Sequence, residues 1–425
     1  MKIIQITASY KPAYIYGGPI QSVGKLCETL MGISDGRLAD GDKYEEATGI
    51  AEKRSFDYAQ DDKQFALAVL TTTANGNEEL EVSIGEPFLV EGVAVTYYKR
   101  WTKDHSHFSP GLLWGLHKVL RQAQDDKRNN ADDKQSNQDD KLIIHIHAWW
   151  NLISVLSCLV AKWYKVPVVL SPRGMLTAYT QNNRNSFFKR LLHHLIGKRL
   201  LQYCHIHATS EQEKRDIFEI VTPKSITVIP NLVNIEHGEW RIGEEQSLVF
   251  KLIYLSRIEE KKGLELFFDA LSLLDIDWQL TIAGSGKKEY VESLKLKAQN
   301  LQLNQHINWF GQVSDQNKYE LMANHDLLVL TSFNENFANV VVESLSVGTP
   351  VLISDRVGLS DYVLEQQLGW VSELEANDVK EKLLNAFHDR EKRKKIRQLA
   401  SEIIRNDFDD RTLANRYLEL YEKLV

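Results

Sequence analysis

Short apolar runs alternate with longer stretches of helical period along nearly the whole chain. That alternation constrains the fold more than any other feature. The runs are KIIQITA, FALAVLTTT, LIIHIHA, VPVVLSP, HIHATS, ITVIP, FKLIYLSR, WQLTIAG, INWFG, DLLVLTS and TPVLIS. Several are β-branched throughout, as strands covered on both faces of a parallel sheet tend to be. Between them lie GPIQSVGKLCETLMG, GLELFFDALSLL, YVESLKLKAQNL and ANVVVESLSVG, which read as helices. Strand, helix and strand in that order make right-handed βαβ units, so the expected class is α/β with doubly wound parallel sheets.

The pattern restarts once. Residues 231–248 are polar and aperiodic, and a fresh strand begins at Phe250. With 425 residues there is room for two cores. The expected division is a Rossmann-like domain over 1–230, a linker over 231–248, a second such domain over 249–405, and a helix over 406–425 that returns to the first domain. A ligand is expected in the cleft between two such halves. Two stretches, 34–64 and 121–141, are rich in Asp, Lys, Gln and Asn and poor in core formers. They cannot offset their own ordering entropy and are expected as surface loop insertions.

Composition narrows the function. The net charge of -7 argues against a nucleic-acid footprint, so no nucleic-acid partner is expected. Cys27, Cys158 and Cys204 are far apart, fit no metal spacing and suit a reducing compartment. The opening MKIIQITASYKP enters a strand with no apolar signal region, and LISVLSCLVAKWY is too short to span a bilayer. A cytoplasmic location is the expectation.

Chemistry concentrates in TSFNENFANVVVESLSVGTPVLISD, residues 331–355, where seven residues separate Glu335 from Glu343. Were the interval wholly helical, the two side chains would stand about 80° apart around the axis. Placing Glu335 in a loop and Glu343 within the following helix leaves the helix N-terminus, Phe337, Ala338, Asn339 and Val340, between them. Such a terminus offers N–H groups to phosphate. A ligand with a sugar, a diphosphate and a ribose would engage both carboxylates as hydroxyl acceptors. The spacing alone equally allows a helix with Glu343 on its wet face.

Arg257 and Lys262 lie five apart at a strand end and could hold phosphates. They could equally form a solvated cluster with Glu259, Glu260 and Lys261. Gly17 and Gly18 suit a close backbone approach to phosphate at a helix start. His145 and His147 share one face of their strand, and Arg173 in SPRG is a further anion contact. The triplet DID at 275–277 precedes a strand and reads as a turn, and AGSGKKE lacks the third glycine of a dinucleotide fingerprint. No metal and no resident cofactor are expected. The basic amphipathic stretch 186–203 reads as a core helix or as a surface docked on an anionic bilayer.

The segment FNENFANVVVESLSVGTPVLISD resembles the donor-site signature of retaining glycosyltransferases of family four, which have the GT-B fold. YKPAYIYGGPIQSV is similar to that family's first loop, LIIHIHAWW to its H-x-H strand end, and YLSRIEEKKGLELFFDAL to its Arg-x4-Lys-Gly element. LTIAGSG is similar to its following strand-turn. LSPRGML and HIHATSEQEK resemble the subgroup that makes surface polysaccharides, including lipopolysaccharide. The resemblance implies catalytic roles for His147, Arg257, Lys262 and Glu335. It implies donor contacts from Gly17, Gly18, Arg173, Arg257, Lys262, Glu335, Phe337, Ala338, Asn339, Val340 and Glu343. Phe337 stands where relatives frequently have a small residue. The co-substrate implied is a nucleotide-diphosphate sugar without metal, and the acceptor a glycan or polyprenyl-linked glycan. Contact with the inner face of the membrane would run through 186–203. Other readings are a different GT-B enzyme, such as a sugar-nucleotide epimerase, and a catalytically silent sugar-nucleotide-binding subunit.

Overall fold

The computed structural model describes residues 1–36, 65–104, 106–129, 141–177, 197–236 and 249–425. Most of the expected insert 34–64 and of 186–203, the end of the linker and residues 130–140 fall outside the described residues. The chain divides into two compact units, Met1–Leu232 with Asp410–Val425, and Val233–Asp409.

The first unit holds β1 (Lys2–Ile6), β2 (Ala66–Thr72), β3 (Ala74–Asn75), β4 (Glu78–Glu79), β5 (Pro87–Val90), β6 (Val93–Tyr98), β7 (Leu142–His147), β8 (Val168–Ser171), β9 (His205–Ala208) and β10 (Ser225–Val228). Its large sheet runs β10-β9-β8-β7-β1-β2-β6-β5. Every pairing in it is parallel except β5 with β6. The helices are α1 (Gly18–Ser34), α2 (Pro110–Asn129), α3 (Leu152–Trp163), α4 (Lys198–Leu201) and α5 (Glu211–Ile220).

The second unit holds β11 (Phe250–Leu255), β12 (Trp278–Ala283), β13 (Ile307–Gly311), β14 (Leu327–Leu330), β15 (Val351–Ser354) and β16 (Gly369–Ser372), in the order β13-β12-β11-β14-β15-β16 and all parallel. Its helices are α6 (Leu264–Leu271), α7 (Lys288–Asn300), α8 (Asp315–Ala323), α9 (Asn339–Ser346), α10 (Ser360–Glu365), α11 (Ala376–His388) and α12 (Arg390–Asp407). The last helix, α13 (Asp410–Glu422), belongs to the first unit.

The α/β class with two Rossmann-like parallel sheets is therefore as expected. The unbroken apolar runs are buried on both faces: every residue of β7, β14 and β15 is covered. Five strands escaped the reading by periodicity: the two-residue β3 and β4, and β5, β6 and β16. PFLVEGVAVTYY is a hairpin of β5 and β6, turning at Glu91 and Gly92 with φ of 50 and 78°. Two positive φ values in succession are what a tight primed turn requires. GWVS, as β16, is too short and too glycine-tinged to stand out.

The polar stretch 121–141 also needs correction. Residues 121–129 continue α2, with an Arg121–Asp125 pair at i,i+4 and Lys127 and Arg128 in the last turn. Gln, Ala, Lys and Arg favour a helix without any apolar face, and cations at its end complement the dipole. An extension that sets only Ala123 against the core is invisible to hydrophobic periodicity. In α13, Leu413, Ala414, Tyr417, Leu420 and Tyr421 are buried, a stripe at helical spacing. Lys25 of α1 pairs with Asp410 at 2.8 Å. Among the described residues no helix is long and apolar enough to cross a membrane.

Candidate functional site

In the second unit the chain builds outward from β11 through β12 to β13, then returns to add β14 on the other side. The strand order thus reverses between β11 and β14, where parallel α/β sheets leave a crevice beyond their carboxyl ends. The loop after β11 carries Arg257 and Lys262, and the loop after β14 carries Glu335.

Those two loops are stitched together by a backbone and a side-chain hydrogen bond. Phe333 N–H donates to the Lys261 carbonyl at 2.9 Å, and Thr331 Oγ1 donates to the Gly263 carbonyl at 2.9 Å. Gly263 has φ +72°, and a Cβ there would lie 1.9 Å from the Thr331 carbonyl oxygen. Only glycine fits. Gly263→Ala is expected to lose at least about 1–3 kcal/mol, the usual cost of a strained backbone alone. A urea midpoint unchanged from wild type would show that the loops are not locked this way.

Lys262 is buried at 6% exposure, ends a short 3-10 turn over Glu260–Lys262, and pairs through Nζ with Glu335 Oε2. Glu335 is held from behind: its N–H donates to the Arg356 carbonyl at 3.1 Å, and its carbonyl accepts from Gly358 N–H at 2.8 Å. Arg257 is half-exposed and pairs with Glu259 at 2.8 Å, while its carbonyl accepts from the Tyr254 hydroxyl. The structure therefore brings Lys262 to Glu335 and leaves Arg257 more open on the same loop. Beside Lys262, burial lowers the Lys261 ammonium's pKa.

Beyond Glu335 the chain enters α9 at Ala338, whose φ of 68° is unusual for alanine. Asn339 and Val340 form the first turn, whose N–H groups have no preceding turn to accept them. Phe337 is buried, its ring 6.1 Å from that of Phe408, so only its backbone remains for a ligand. Glu343 lies within α9, as the loop-plus-helix placement expects. It is not on a wet face: it is 5% exposed and pairs with Lys318 of α8 at 2.9 Å. Lys318 is the residue that sequence reasoning missed. Its signal was its place four residues before the fully buried Met322, on the inward face of α8.

In the first unit the order reverses between β7 and β1. The loop after β1 leads to Gly17, with φ 71° and ψ -141°, and to Gly18, which opens α1. Gly17 adopts a conformation open essentially to glycine alone. Arg173, in the loop after β8, donates through Nη1 to Ser22 Oγ of α1 at 3.1 Å and to Asn231 Oδ1 at 3.0 Å. No carboxylate among the described residues pairs with Arg173, and burial lowers its pKa from the ordinary arginine value. Gly17, Gly18 and Arg173 are thereby gathered around one helix start.

His147 ends β7 and is 1% exposed. Its Nδ1 accepts from Arg173 Nε at 3.3 Å, and its Nε2 meets Gln5 Oε1 at 2.7 Å. Both ring nitrogens are engaged, so the ring as placed offers no open base.

Burial pushes His145 and His147 well below the usual histidine value, with help from neighbouring histidines and Arg173, and takes His207 to about 3. The unfolded chain binds protons near pH 6.5 where the folded chain does not, so protons favour unfolding. Stability is expected to hold above about pH 6.5 and to fall steadily below it as the unfolded histidines charge. Melting temperatures flat between pH 7 and pH 5 would contradict the burial of these rings.

Comparison with known proteins follows the same division. The family model described as "Glycosyl transferases group 1" matches residues 241–402, and "Glycosyltransferase Family 4" matches residues 59–237. An uncharacterized glycosyltransferase of Methanocaldococcus jannaschii is 28% identical over 197 residues, 45% of this chain and 52% of that protein. The chain thus spans about half the length of that relative. The N,N'-diacetylbacillosaminyl-diphospho-undecaprenol alpha-1,3-N-acetylgalactosaminyltransferase of Campylobacter jejuni is 24% identical over 290 residues, 64% of this chain and 75% of that protein. The structure of Anabaena HepE, solved with UDP and glucose, superposes with a TM-score of 0.66 over 100% of both chains at 17% identity.

Proposed function

Given that the chain belongs to the group 1 glycosyltransferases of GT-B fold, we propose that it transfers a sugar, with retention of anomeric configuration, from a nucleotide-diphosphate donor to a hydroxyl of a glycan or lipid-linked glycan. The observation that carries this reading is the pair of buried Lys262 with partly exposed Glu335 at the second sheet's switch point, with the start of α9 and Glu343 beyond it. In this assignment Lys262, Arg257 and the N–H groups of α9 take the diphosphate, Glu335 takes a sugar hydroxyl, and Glu343 takes a ribose hydroxyl.

Chemistry follows from charge. The bond between the anomeric carbon and the phosphate oxygen breaks, leaving an oxocarbenium-like centre while the diphosphate gains negative charge. Lys262 and Arg257 stabilise that charge where it develops. The acceptor oxygen attacks from the face the phosphate is leaving, and its proton passes to the departing phosphate oxygen. The engagement of both His147 nitrogens supports the phosphate rather than this histidine as the proton's destination. Gly17, Gly18 and Arg173 bind an anionic group of the substrates.

The acceptor class draws on the Campylobacter relative, whose name describes transfer to a diphospho-undecaprenol-linked sugar. A role in cell-surface polysaccharide synthesis at the inner face of the membrane would follow. The donor class draws on the Anabaena protein solved with UDP.

A thermal-shift series of UDP-, GDP- and ADP-sugars against wild type and Glu343→Gln tests the donor assignment. Saturation at a hundred times Kd stabilises by about 2.7 kcal/mol, enough to read clearly. A shift confined to one nucleotide class and lost in the variant is expected. No shift with any nucleotide would overturn the donor site. Product anomer analysis then tests retention.

A further inference from the structure

One unbroken line of hydrogen bonds runs through buried side chains of the first unit. Arg173 Nε donates to His147 Nδ1, and His147 Nε2 meets Gln5 Oε1. Gln5 Nε2 donates to the Tyr421 hydroxyl at 3.2 Å, and that hydroxyl lies 2.7 Å from His145 Nδ1. His145 Nε2 is 2.6 Å from Ser171 Oγ, which is 2.6 Å from His207 Nδ1. His207 Nε2 ends the line on the Ile229 carbonyl at 2.8 Å, with the Tyr417 hydroxyl 3.0 Å away.

Its two ends dictate its direction. A guanidinium only donates and a carbonyl only accepts. From Arg173, His147 Nδ1 must hold a lone pair, so Nε2 carries the proton and donates to the Gln5 carbonyl oxygen. The Gln5 amide nitrogen then donates onward. From the other end, His207 donates to Ile229 and accepts from Ser171, so Ser171 accepts from His145 Nε2. That leaves His145 Nδ1 needing a donor. Both arguments meet at Tyr421, whose hydroxyl must accept from Gln5 and donate to His145. Without it, a buried donor and a buried acceptor are both left unmade.

We propose that Tyr421, on the C-terminal helix α13, is a positioning residue for the transfer: its hydroxyl closes this line and so holds the Gln5 amide, the His147 ring and the Arg173 guanidinium in one orientation. Four strands, β1, β7, β8 and β9, and the last helix meet in this line, so the chain must return through α13 before His147 is set. Among the described residues nothing accepts from Arg173 Nη2, the nitrogen that the line leaves for an anion. The inference rests on the reading that Arg173 and His147 stand where a substrate group is bound.

The test compares the full chain with Tyr421→Phe and Tyr417→Phe, each removing one hydroxyl from the same helix. Tyr417 is the control, because the Ile229 carbonyl still fixes His207 without it. In chains carrying nitrogen-15 histidine, the His147 Nε2 proton should be visible in wild type and Tyr417→Phe but broadened away in Tyr421→Phe. Tyr421→Phe should also lose about tenfold in kcat with donor KM nearly unmoved, as expected for mispositioning rather than lost binding. Equal losses in both variants would mean general damage and overturn the proposal. An unchanged His147 proton in Tyr421→Phe would also overturn it, leaving the placement of His147 standing. A broadened proton with normal kcat would overturn that placement, and the proposal with it.

Discussion

Lys262→Ala is expected to lower kcat by about 10²–10³-fold, the usual scale for removing one preorganised group from a developing anion. The size follows from where the ammonium sits. It is 6% exposed, ends a rigid 3-10 turn, and is anchored to the loop after β14 by its pair with Glu335. A charge already desolvated and aimed pays little reorganisation when the diphosphate leaves. Arg257 is half-exposed and shares its charge with Glu259, so Arg257→Ala is expected to cost less, about tenfold. Steady-state kinetics of both variants decide the matter. If Arg257→Ala proves the more damaging, Lys262 serves the loop's structure and the phosphate contact belongs to Arg257.

Glu343→Ala is expected to unfold the second unit more readily, by about 3–5 kcal/mol, before any donor is added. The cause is Lys318. Its side chain and that of Glu343 are 8% and 7% exposed and 2.9 Å apart, so removing the carboxylate takes a close opposite charge away from a buried cation. Loss of donor binding in Glu343→Ala would then mix a missing contact with a damaged fold. The double variant Glu343→Leu with Lys318→Met removes both charges at similar volume and should recover most of the stability, while still failing to bind donor. Urea denaturation of the single and double variants, with a donor thermal shift on each, reads the two effects apart. A single variant as stable as wild type would mean that water reaches Lys318. A double variant that binds donor normally would remove Glu343 from the site.

Much of this was legible from local pattern. The β-branched runs announced buried parallel strands because burial on both faces leaves no room for polar alternation. The placement of Glu335 in a loop and Glu343 in a helix was one of two readings that the spacing allowed, and it is the one seen in the structure. The environment of Glu343 did not follow. Whether a helical carboxylate meets water or Lys318 depends on which face the neighbouring helix covers, and residue spacing on one helix carries no record of its neighbour. The extension of α2 and the hairpin at Glu91 and Gly92 escaped for a related reason: neither is set by an apolar period.

The order of residues by itself determined the α/β class, the restart that separates two cores, and the glycine turn at Gly17 and Gly18, because backbone sterics and hydrophobic period act over a few residues. Tertiary structure alone decided what the polar side chains mean. Lys262 finds Glu335 across 73 positions, and Gln5 finds Tyr421 across 416. A hydrogen bond requires two atoms within about 3 Å whatever their separation in sequence, and only the path of the folded chain brings such pairs together.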